Sequence, residues 1–170
     1  MSKYNTISKA INLGPLILLY YLSISEIDSH FENYFEILSF NIQLIIIYFW
    51  VSKRPEALGN GHVFFAGLIN DVVIGFPLGL SSLSYLVVSF VATYVKNMTV
   101  NTRITTDWFT FFIAIFFSNV IFFVLLSNFS ETTVSITEMS YNTFFTLLFF
   151  PFFWFIFTYY NSIITTGKNA

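Results

Sequence analysis

Two histidines, nine carboxylates and no cysteine are all that the 170-residue chain offers to acid–base or metal chemistry. Without cysteine there can be no disulfide, no thiolate catalysis and no Cys-based zinc site, whichever compartment the loops face. His30 and His62 stand at the ends of different apolar runs, and the topology derived below puts them on opposite faces, out of reach of a shared metal. No Gly-rich phosphate loop, serine nucleophile elbow or His–Glu pairing at helical spacing occurs. The sequence therefore predicts no catalytic residue, no metal and no cofactor. What stands out is Asp71, set in the apolar run "GLINDVVIGFPLGLSSLSY" from Gly67 to Tyr85 with no basic residue at its depth. A carboxyl group in hydrocarbon is costly enough to face a bundle interior or a partner protein, which makes it a candidate functional residue by default. The plain alternative is an interior hydrogen bond to Asn70, Ser81, Ser84 or Tyr85, worth about 1 kcal/mol in a membrane. Burial disfavours the charge, so one reading is a neutral acid acting as a donor and the other an Asp71 that must ionise, as in a proton-coupled transporter.

The solvent around Asp71 follows from composition. Hydrophobic residues make up 56% of the chain, aromatic residues 22% and charged residues 9%, and the mean hydropathy is +0.73. Soluble domains carry about a quarter charged residues, so this chain could not coat a water-facing surface of ordinary size. It reads as a single integral membrane domain over residues 1–170. A formal net charge of −2 and the lack of a basic stripe exclude nucleic acid as a partner, leaving membrane lipid and other membrane proteins.

A helix needs about 20 apolar residues to cross a membrane, fewer where it is short or re-entrant. Six stretches qualify: Ala10 to Ile27, Phe35 to Val51, His62 to Phe76, Gly79 to Val95, Asp107 to Ser127 and Tyr141 to Ile164. The third and fourth come from one run that is too long for a single span and is divided by "GFPLG". Pro77 lacks the N–H that a helix interior needs, and Gly75 and Gly79 relax the backbone on either side. The spacing predicts a helical hairpin with a very tight turn. Lys3 and Lys9 ahead of an apolar run that reaches Ser23-Ile24-Ser25 also fit a signal peptide, but the charge pattern accommodates a retained first helix.

With six spans, all seven basic residues fall on one face: Lys3, Lys9, Lys53, Arg54, Lys96, Arg103 and Lys168. The loops on the other face carry Glu26, Asp28, Glu32, Glu36, Glu131 and Glu138 and no basic residue. This asymmetry predicts that both termini are cytoplasmic, whereas five or seven spans would scatter the basic residues. The fold class expected is all-α, a polytopic bundle of six transmembrane helices. Within it, Gly67 and Gly75 lie near one helix face, where small residues allow close packing. Ser118 and Asn119 interrupt the fifth span and want partners, Asn119 with Asp71 being one candidate pair. The Phe-rich segments "FFIAIFF" and "FFPFFWFIF" read as lipid-facing or packing surface, and Pro151 is expected to kink the last helix.

Two motifs then carry a resemblance. "W-x-x-x-R-P" from Trp50 through Arg54 and Pro55, followed by "G-x-x-x-D-x-x-x-G-x-x-L-G" from Gly67 to Gly79, resembles the rod shape-determining protein MreD family of bacteria. Chain length, span count and short loops are similar too. The resemblance implies a non-enzymatic, multi-pass protein of the cell (inner) membrane within the machinery that directs peptidoglycan synthesis during cell elongation. Its implied partners are an MreC-like single-pass protein, an MreB-like actin homologue and a RodA-type glycosyltransferase with its transpeptidase. Arg54, Pro55, Gly67, Asp71, Gly75, Pro77, Gly79 and Asn119 become candidate partner-contact or helix-packing residues, with Asp71 as polar anchor. The alternative is a small-solute-binding membrane subunit similar to those of energy-coupling-factor importers, because a Gly/Pro-interrupted pair of short spans also suits a midplane binding site.

Overall fold

The computed structural model describes residues 13–25, 40–98, 103–129 and 136–166. Six helices occupy them: α1 (Gly14–Ile24), α2 (Ile42–Lys53), α3 (Asn60–Ile74), α4 (Leu80–Met98), α5 (Ile104–Phe129) and α6 (Ile136–Thr166). No strand occurs among the described residues. The architecture is all-α, and one helix lies on each of the six apolar stretches.

The helix ends depart from the apolar runs for local reasons. α1 starts with Pro15 in its first turn, where a missing N–H costs nothing. α2 begins at Ile42 rather than Phe35, because Asn41 caps it by accepting the Leu44 N–H at 3.1 Å. Residues 35–39 lie outside the described residues. α3 stops at Ile74, since Gly75 takes the left-handed conformation at φ 80°. α6 starts at Ile136, before the apolar run does. Its first turn, Ile136 to Met139, contains Glu138, a charge favoured at a helix N-terminus. α6 continues through Pro151 as one helix.

α2 is the central element. Every residue from Leu44 to Ser52 is buried, as expected of a helix apolar on all sides, and it packs on α1, α4 and α6. Aromatic rings fill the space around it. Phe111 of α5 and Phe150 of α6 stack at 4.4 Å, with Tyr48 edge-on to them at 5.3 and 5.8 Å. Trp50 meets Tyr160 edge-on at 5.8 Å. α1 adds Leu19 to this core.

Cross-helix contacts fix the helix directions. Along α2, Asn41 meets Thr146 and Trp50 meets Tyr160, so α2 and α6 run parallel. Lys53 meets Asp107 and Tyr48 meets Thr110, so α2 and α5 run antiparallel. Asn60 meets Ser89 and Asn70 meets Ser81, so α3 and α4 form an antiparallel hairpin. One end of the bundle therefore gathers Lys53, Arg54, Lys96 and Arg103, and the other holds Gln43, Asp71 and Glu138. Outward-facing phenylalanines, among them Phe109, Phe116, Phe152 and Phe155, cover α5 and α6. By length and composition these two helices could each cross a membrane, while α1, α2 and α3 are shorter apolar helices.

Candidate functional site

The α3–α4 turn is built around one residue. Asp71 sits in the last turn of α3, where its own helix dipole opposes a carboxylate. The chain resolves the conflict by folding the N-terminus of α4 onto it. Asp71 Oδ2 accepts the Gly79 N–H and Oδ1 accepts the Ser81 N–H, both at 2.8 Å, and the residue is wholly buried. Those amides belong to the end of α4 that has no intrahelical acceptors and attracts negative charge. The main-chain oxygen of Asp71 also accepts, from Gly75 N and Phe76 N at 2.9 Å, and so ends α3. One residue thus caps two helices. Both carboxyl oxygens act as acceptors of backbone N–H groups from the start of α4.

The glycines divide by role. A Cβ on Gly67 would lie 2.6 Å from the Ser82 backbone nitrogen, so Gly67 sets the closeness of α3 and α4. Gly75 and Gly79 have open space where a Cβ would point, and both have positive φ, at 80° and 98°. The packing face expected for Gly67 with Gly75 is therefore confined to Gly67; Gly75 serves the turn. Pro77 supplies the carbonyl that accepts the Leu80 N–H at 3.2 Å.

A polar network extends from the hairpin into the bundle. Gln43 of α2 donates to the Leu22 carbonyl at 3.0 Å and to Asn70 Oδ1 at 3.2 Å, and accepts from the Tyr85 hydroxyl. Asn70 in turn donates to Ser81 Oγ at 3.1 Å. Ser118 donates to the Ser84 carbonyl at 3.0 Å. Asn119 donates to Thr143 Oγ1 at 2.6 Å, so its partner is on α6 and the pairing with Asp71 is not made. These groups surround a cavity of about 300 Å³ at the end of the bundle away from the basic residues. Gln43 escaped the sequence reading, although a lone amide within "IQLIIIYFWV" was signal enough that the central helix carries a polar contact.

A second cluster sits at the basic end. Lys53 Nζ lies 2.8 Å from Asp107 Oδ2, which also accepts from Trp154 Nε1 at 2.9 Å. The pair ties together α2, α5 and α6. Asp107 is buried, and its Oδ1 has no protein partner. Arg54 is the C-cap of α2, its N–H bonded to the Trp50 carbonyl at 2.7 Å, and Pro55 follows in the turn towards α3. Arg54 and Pro55 thus stand at the opposite end of the bundle from Asp71, Gly75, Pro77, Gly79 and Asn119. His62 pairs with the Tyr20 hydroxyl at 3.3 Å, while His30 lies outside the described residues.

Helices that turn aromatic faces outward and draw amides and carboxylates inward are the marks of a helical membrane protein. Residues 9–163 match the family described as rod shape-determining protein MreD, and the chain belongs to that family. No curated protein and no solved structure matches the chain.

Proposed function

We propose that the protein is a non-enzymatic component of the bacterial cell-elongation machinery, acting in rod shape determination and lateral peptidoglycan synthesis through helix–helix contact with partner membrane proteins. The observation that carries this is the family match over residues 9–163. In this reading all six helices traverse the cell (inner) membrane in a multi-pass arrangement and both termini are cytoplasmic, supported by the collection of Lys53, Arg54, Lys96 and Arg103 at one end. α1 to α3 are short for a hydrocarbon core of about 30 Å, which a bundle can accommodate by local thinning. The partners are an MreC-like single-pass protein, an MreB-like actin homologue and a RodA-type glycosyltransferase with its transpeptidase.

The capped hairpin and the Lys53–Asp107 pair serve this role by fixing the bundle's shape, so that the outward apolar faces of α5 and α6 are presented rigidly to a partner helix. Affinity purification of the tagged full chain from membranes should bring down the MreC-like protein. Its absence after mild solubilisation and in-cell cross-linking would contradict direct contact. The polar cavity favours a second reading, a small-solute-binding transporter subunit, which solute uptake by proteoliposomes would reveal.

A further inference from the structure

We propose that the cavity at the non-basic end of the bundle binds a neutral, hydroxyl-rich ring of about the size of one sugar. This goes beyond the scaffold role and does not depend on it. At about 300 Å³ the cavity lies at the small end of ligand-site volumes, with room for roughly ten waters. Four of the five helices α2 to α6 place an amide on it, through Gln43, Asn70, Asn119 and Asn142, and α4 contributes hydroxyls. Polar groups gathered inside an apolar bundle are costly unless each finds partners.

The chemistry of the wall selects the ligand. No lysine or arginine lines the cavity, so nothing there would neutralise a phosphate or carboxylate, and the one carboxylate on the wall, Glu138, is solvent-exposed and carries no charge into the amide-lined interior. Ser81 Oγ accepts from Asn70 and retains its own proton for a further acceptor; Asn70 and Asn119 each use one N–H on a neighbour and keep the second. Amide carbonyl oxygens supply acceptor lone pairs beside these donors. A wall that both donates and accepts, without fixed positive charge, matches hydroxyl groups, which do both. Phe76 and Phe122, edge to face at 5.6 Å, add an apolar surface for the C–H face of a ring. In the six-span topology this end lies at headgroup level, so the ring could belong to a free sugar or to the headgroup of a glycolipid.

The test uses the full-length protein in nanodiscs. Methyl β-glucoside is the free probe, read by saturation-transfer NMR; monoglucosyl diacylglycerol is the lipid probe, read by native mass spectrometry against phosphatidylglycerol. Choline and glycerol phosphate serve as charged probes of similar size. Binding of the free glucoside, with a Kd of about a millimolar, identifies a soluble ligand. At least tenfold enrichment of the glucosyl lipid over phosphatidylglycerol, without binding of the free glucoside, identifies a headgroup. In either case Asn119→Leu should weaken binding at least tenfold. Ser81→Ala, which keeps the backbone N–H on Asp71, provides the same test should Asn119→Leu fail to fold. Absence of binding by both glucosyl probes, equal or stronger binding of a charged probe, or unchanged binding in a correctly folded variant would each overturn the proposal.

Discussion

Asp71 and Ser81 are joined by a 2.8 Å hydrogen bond from the backbone N–H of one helix to the carboxylate of the helix before it. Together with the matching bond from Gly79, this makes the carboxylate a cap for α4. A polar and an apolar substitution of Asp71 should then differ in degree. Asp71→Asn retains one acceptor oxygen and should cost about 2 kcal/mol, the scale of one hydrogen bond to a charged group. Asp71→Leu strands the buried Ser81 amide and the part-buried Gly79 amide and should cost about 4 kcal/mol. Equilibrium unfolding of the purified protein in mixed micelles gives both numbers; equal stability of the Asn variant and the unaltered protein would mean that the charge contributes nothing.

Gly67 and Gly75 should fail for different reasons. Gly67→Ala drives a methyl group into the Ser82 backbone and should destabilise the hairpin by about 2 kcal/mol, as overpacking does. Gly75→Asn should be nearly neutral because Asn tolerates the left-handed conformation, whereas Gly75→Val should cost about 1–2 kcal/mol. Thermal unfolding of the three variants separates space from φ. A tolerated Gly67→Ala would show that α3 and α4 do not approach so closely.

The Lys53–Asp107 pair predicts a non-additive result. Lys53→Met leaves a buried carboxylate without its cation and should cost about 3–5 kcal/mol. Adding Asp107→Leu removes that charge and should recover most of the loss, short of about 1 kcal/mol for the Trp154 N–H left behind. A double variant as unstable as Lys53→Met alone would mean that the ion pair is incidental to the packing of α2, α5 and α6.

How much of this was legible in the sequence depends on the range of each interaction. The six helices follow from hydropathy, and the α3–α4 turn from Gly75, Pro77 and Gly79, because those preferences act within a few residues. Asp71 is conspicuous as a charge in an apolar run, but its partners are backbone amides, which every residue except proline carries. Only the turn's geometry reveals which amides reach it. Lys53 and Asp107 looked like ordinary flanking charges of two separate spans, since nothing local says that two helix ends meet. The cavity is still less accessible to sequence reasoning, because its amides come from several helices, each carrying only one or two.

Orientation is tested without purification. In intact cells, cysteines introduced at Lys3, Arg103 and Lys168 should be shielded from an impermeant thiol reagent, and one at Glu131 should react. The chain's lack of native cysteine makes the background clean. Reaction at Arg103 from outside would break the six-span arrangement.

The role in cell elongation is tested most directly by the shape of cells depleted of the protein, measured as length-to-width ratio in a rod-shaped host with no second copy of the gene. The account predicts that depleted cells become round and that the unaltered protein restores rods. An Asp71→Leu variant that still inserts in the membrane should fail to restore them and should lose co-purification with the MreC-like partner. Rods of normal proportions after complete depletion would contradict it.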